Sequence, residues 1–69
     1  MKTRYRFIYF EQFHSTWFCH NIKSEAPLCS IEYYKPWRQW AVTSVCPGTV
    51  FSGDCLTDIA NFMGQLEKP

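Results

Sequence analysis

The stretch Trp37-Arg38-Gln39-Trp40-Ala41-Val42-Thr43-Ser44-Val45, continued by Cys46-Pro47-Gly48-Thr49-Val50-Phe51-Ser52, decides how this chain is read. Trp37 to Val45 is rich in aromatic and β-branched residues and has no internal Gly or Pro, the composition of a half-buried strand. Pro47 presets φ and Gly48 tolerates φ > 0, so a type II turn is expected there, with Thr49-Val50-Phe51 returning antiparallel as a short strand. Ser52 suits a helix N-cap and Asp54 suits the positive end of the helix dipole. Phe51 and Leu56 hold the two positions of a hydrophobic staple. Leu56, Ile59, Ala60, Met63 and Leu66 recur at helical spacing, flanked by Cys55 and Phe62, with Asp58, Asn61 and Gln65 opposite. This spacing predicts one amphipathic helix, ending in a left-handed cap at Gly64 or running on to Leu66.

Upstream, Thr3 to Phe10 reads as a strand with Tyr5, Phe7 and Tyr9 on one face and Arg4, Arg6, Ile8 and Phe10 on the other. Glu11 to Thr16 is the expected turn, and Trp17 to Ile22 a second strand. Lys23-Ser24-Glu25-Ala26-Pro27 is the most loop-like run. Leu28 to Tyr34 is a third strand, placing Cys29, Ile31 and Tyr33 together, and Lys35-Pro36 marks a corner before Trp37. The expected fold is α+β, a mainly antiparallel sheet of four to five strands with one C-terminal helix packed on one face.

Sixty-nine residues make one domain, residues 1–69, because so short a chain cannot be divided between two cores. Aromatic residues make up 19% of it, more than one short helix can cover on both faces of a sheet. The uncovered face is therefore expected to meet a partner, or a second copy in a homodimer. Seven Lys and Arg against six Asp and Glu leave a formal net charge of +1, so no global field draws the chain to nucleic acid or membrane. The apolar run Phe7 to Phe10 is too short for a signal peptide and no segment is long enough to span a bilayer, which points to the cytoplasm. There the four cysteines, Cys19, Cys29, Cys46 and Cys55, are expected to be thiols; in an exported chain they could pair in three ways.

Four chemistries are open to these residues. Structural zinc needs ligands in close pairs such as C-x-x-C; here Cys19 and His20 are adjacent, which on a strand points them to opposite faces, so no metal or cofactor is expected. Cys55 sits where a helix N-terminus lowers a thiol pKa, but Asp54 opposes that, and neither His14 nor His20 is tied to it as a base, so no enzyme is expected. The run Trp37 to Val42, with the short strand and helix after it, resembles the strand-strand-helix half of plant AP2-type and integrase-type DNA-binding domains over residues 35–62. That resemblance implies a sheet laid in the major groove. Between Trp37 and Phe51, however, Arg38 is the only Arg, where that family's reading face carries several. Exposed rings could also stack on single-stranded bases, with Lys2, Arg4, Arg6 and Lys35 on the backbone.

The fourth chemistry is a protein interface. Tyr, Trp and Arg dominate interface hot spots, and Tyr33, Tyr34, Lys35, Pro36, Trp37 and Arg38 concentrate them in one corner, with Arg4 and Arg6 supplied by the first strand. The leading expectation is a non-enzymatic protein-binding module that blocks a host nuclease, polymerase or defence complex, as small phage and mobile-element products do; the alternative is a sheet-face nucleic-acid-binding domain.

Overall fold

The computed structural model describes residues 1–67. It is an antiparallel meander of β1 (Ile8–Phe13), β2 (Thr16–Asn21), β3 (Pro27–Tyr34) and β4 (Gln39–Val45), followed by helix α1 (Gly53–Leu66). The strands lie in chain order, β1-β2-β3-β4, in one open sheet. The fold class is therefore the expected one, with four strands and one C-terminal helix.

Each connection is short and has a local cause. His14 takes a left-handed φ of 59° between the paired residues Phe13 and Thr16, as a two-residue hairpin turn requires at its first position. The Asn21 side-chain oxygen accepts from the backbone N–H of Lys23 and of Ser24, an Asx turn that opens the β2–β3 loop. Lys35–Trp37 form one 3-10 turn, with Pro36 supplying its φ and Arg38 left-handed at φ 52°.

Five expectations are corrected. The first strand does not run from Thr3: Tyr5 N–H donates to the Ile8 carbonyl and Phe10 N–H to the Thr3 carbonyl, so the N-terminal arm folds back along β1. Strand β1 then occupies Glu11 to Phe13, the residues read as a turn. Lys35-Pro36 is a reversal rather than a corner, because β3 and β4 pair antiparallel from Tyr34 and Gln39 onward. Trp37 belongs to that reversal and not to β4. The Pro47-Gly48 turn does form, with Gly48 at φ 79° and Thr49 N–H donating to the Cys46 carbonyl. Thr49 to Phe51 do not return as a strand, so the strand-strand-helix order that suggested a DNA-binding likeness lacks its short strand. They form instead the connection that swings α1 back across the sheet.

Alternation along the strands puts Phe10, Trp17, Cys19, Cys29, Ile31, Tyr33 and Trp40 on the helix side, as their pairings require. The buried core is Tyr5, Ile8, Phe10, Cys19, Cys29, Ile31, Ile59 and Phe62. Its centre is aromatic: the Phe62 ring lies parallel to Phe10 at 3.9 Å between centroids and meets Trp17 edge-on at 5.0 Å. Those contacts set the roll of the helix.

Helix α1 begins as expected, with Ser52 Oγ accepting from Cys55 N–H at 3.2 Å. It runs through Gly64 to Leu66. Its buried face is turned from the predicted stripe: Cys55, Ile59, Phe62, Met63 and Leu66 pack inward, while Leu56 stays 54% exposed and Ala60 is exposed. The staple pair therefore does not seat the helix. Phe62 offers more surface than Leu56 and has two rings to stack on, so burial favours its side. The polar flank is not idle either. Asn61 Oδ1 accepts from the Tyr5 hydroxyl at 2.7 Å, and Gln65 joins the Lys2 backbone through its Oε1 and Nε2, both at 2.8 Å.

Candidate functional site

The β3–β4 hairpin gathers Tyr33, Tyr34, Lys35, Trp37 and Arg38, the residues expected at an interface. Its geometry begins with alternation. Tyr33 faces the helix side and meets Trp40 edge-on at 5.9 Å between centroids, whereas Tyr34 faces the other side and meets Trp37 edge-on at 4.8 Å. Edge-to-face contacts of this kind satisfy the ring quadrupoles. Lys35, Pro36, Trp37 and Arg38 are all exposed, and Trp37 leaves 65% of its surface to solvent.

Between the hairpin and the end of α1 lies an open groove of about 620 Å³, lined by Tyr33, Trp37, Arg38, Gln39, Trp40, Leu66 and Glu67. On the other side, Tyr34, Trp37, Ala41, Val42 and Thr43 border a shallower hollow of about 220 Å³. Trp37 belongs to both, so it stands as a ridge between two depressions. Trp40, Leu66 and Glu67 could not be assigned to this site from the sequence, because the helix end reaches the hairpin only once the chain has folded.

Arg4 and Arg6 do not join that corner. Tyr9, under the Arg4 guanidinium at 5.7 Å from its centroid, pairs with His20, which pairs with Pro27 at the start of β3; the hairpin lies beyond the end of β3, two strands further across. Arg6 lies over Phe7 at 5.1 Å. The positive groups thus sit at opposite ends of the sheet, with Lys35 and Arg38 on one and Arg4 and Arg6 on the other.

The side of the sheet away from the helix carries a second cluster that sequence reasoning did not assemble. His20 stacks on Tyr9 at 5.1 Å, and its Nε2 is 3.5 Å from Glu11 Oε1. The Tyr9 phenol is held above its ordinary pKa, first by desolvation and then by the Glu11 and Glu25 carboxylates. Cys55 packs into the core from the helix, so the sheet stands between it and His20, while His14 is exposed at a hairpin tip against Phe13. Neither histidine is placed as a base for that thiol. Among the described residues no three His, Cys, Asp or Glu side chains are grouped to hold a metal ion, and no helix is long and apolar enough to cross a membrane. No protein-family profile, curated protein or solved structure matches this chain.

Proposed function

We propose that this protein is a non-enzymatic protein-binding module whose interface is centred on the β3–β4 hairpin. The observation that supports this most is the exposed corner itself. Trp37 at 65% and Tyr34 at 40% exposure form a braced ring pair on a one-turn reversal stiffened by Pro36. A preorganised aromatic ridge gives up little entropy on binding, and Trp, Tyr and Arg beside a groove are the residues that carry hot-spot energy. The finer reading, an inhibitor of phage or mobile-element origin that occupies a host nuclease, polymerase or defence complex, is supported by small size.

The placement of charge weighs against the nucleic-acid alternative. Duplex or single-stranded backbone needs a continuous positive track, and here two pairs of cations lie at opposite ends of the sheet with Glu11 and Glu32 exposed between them. Affinity capture from candidate hosts with the native chain, Trp37→Ala and Leu56→Ala tests the proposal. A protein retained by native chain and Leu56→Ala but lost with Trp37→Ala is the expected result. Tight binding to random oligonucleotides, falling with salt on a log-log plot with a slope of up to about four, would replace it by the nucleic-acid reading.

A further inference from the structure

We propose that Cys19 and Cys29 are a reversible dithiol–disulfide pair, closed across β2 and β3 by exchange with a low-molecular-weight disulfide. The two residues are directly opposite in the antiparallel register and on the same face. Opposed residues in an antiparallel pair have Cα atoms about 4.5–5.5 Å apart, inside the roughly 4.4–6.8 Å span that a disulfide bridges. The bond can therefore form without displacing either strand. Cys46 and Cys55 have no such opposed cysteine.

Access is the objection, since Cys19 is fully buried and Cys29 is 3% exposed. The fold supplies one answer. The pair occupies the last regular rung of the β2–β3 ladder: the register slips between Cys19 and His20, and the next partner is Pro27, which has no N–H to donate. Fraying starts at such an end.

The roles of the two sulfurs follow from their surroundings. Cys29 keeps the little exposure the pair has, 3% against none for Cys19, and the Cys19 thiol beside it holds its pKa below the ordinary value. Cys29 is thus the first thiolate and the attacking group. Its sulfur displaces one half of the incoming disulfide, forming a mixed disulfide and releasing one small thiolate, which takes up the proton Cys29 has lost. Cys19, losing its proton to the second leaving group, then attacks the Cys29 sulfur, expelling the second small thiol and closing the Cys19–Cys29 bond. Two protein thiols are oxidised, one small disulfide is reduced to two thiols, and the reverse exchange restores the start.

The native chain is incubated with excess oxidised glutathione, alkylated, and weighed intact. It is then cut without reductant by trypsin, after Lys23 and Arg38, and by an endoprotease that cleaves before Asp54, which puts every cysteine on its own peptide. The expected result is a protein carrying two alkyl groups and two hydrogens lighter than a dialkylated chain with two free thiols, with the Cys19 and Cys29 peptides joined, Cys46 and Cys55 alkylated, and the thermal midpoint raised. Reduced glutathione should reverse all of this. Cys19→Ala should stop at one glutathione adduct on Cys29; if that variant does not fold, the native peptide map decides alone. Four alkylated cysteines at equilibrium, a Cys29–Cys46 link, or a stable Cys29 adduct in the native chain would each overturn the proposal.

Discussion

The two ends of the aromatic content behave differently. Under the helix, Phe62 stacks on the buried Phe10 and meets the half-buried Trp17 edge-on, whereas at the β3–β4 hairpin Tyr34 and Trp37 meet edge-on and remain in solvent. Residue type does not distinguish the two groups; reach does. Fourteen helical residues extend about 21 Å and cover the middle of the sheet; the last turn only borders the hairpin across the groove at Leu66, and Tyr34 faces the other side of the sheet. Rings within that reach contribute to stability, and rings outside it are available for recognition.

The sharpest way to break this contrast is at Phe62. Phe62→Ala removes a fully buried ring and should cost about 3–5 kcal/mol, with Ile59→Ala next at about 2–5 kcal/mol. In so small a domain a loss of that size is a large fraction of the total stability, so denaturant midpoints should be taken for both. If either midpoint equals that of Trp37→Ala, the division between core and corner fails. Trp37→Ala is expected to do the reverse: it should weaken the partner complex by roughly 2 kcal/mol or more while costing stability less than a core truncation. Tyr34→Ala, removing the brace, should follow it.

Tyr5 sharpens the comparison at the covered side. Its hydroxyl donates to Asn61 and accepts from Gln65 Nε2, so Tyr5→Phe should lose about 0.5–1.5 kcal/mol at neutral pH. Burial chiefly raises its phenol above the ordinary value of 10.0. The fold thus favours the neutral form. Its contribution is complete below pH 10.0 and declines as pH climbs through the folded-state value, so the native midpoint should drop in that range more than that of Tyr5→Phe. The smallest effect belongs to Leu56→Ala, expected within about 0.5–1 kcal/mol of the parent despite its place in the apolar stripe. A loss as large as that of Ile59→Ala would put the helix back on the face its spacing predicts.

Much of this was legible in local patterns. Trp17 to Ile22 and Leu28 to Tyr34 lie within one residue of β2 and β3, because their β-branched and aromatic runs are bounded by turn residues that act locally. The corner from Tyr33 to Arg38 could be picked out for the same reason, although the split of Tyr33 and Tyr34 to opposite faces leaves half of it in a groove with the helix end. Arg4 and Arg6 could not be excluded from it by reading, since only the fold-back at Tyr5 and Ile8 shows which end of the sheet they occupy.

The sequence by itself determined the helix start at Ser52, the turn at Pro47-Gly48, the α+β order and the alternation that sets Cys29, Ile31 and Tyr33 on one face. These depend on dihedral preference and on hydrogen bonds within a few residues. Tertiary structure decided the fate of Thr49 to Phe51, the fold-back of the N-terminal arm and the roll of α1. It also decided the pairing of Cys19 with Cys29. Each of these depends on which surfaces meet after collapse: Phe62 prevails over Leu56 because Phe10 and Trp17 are there to receive it, and the partners are some 45 to 52 residues away along the chain.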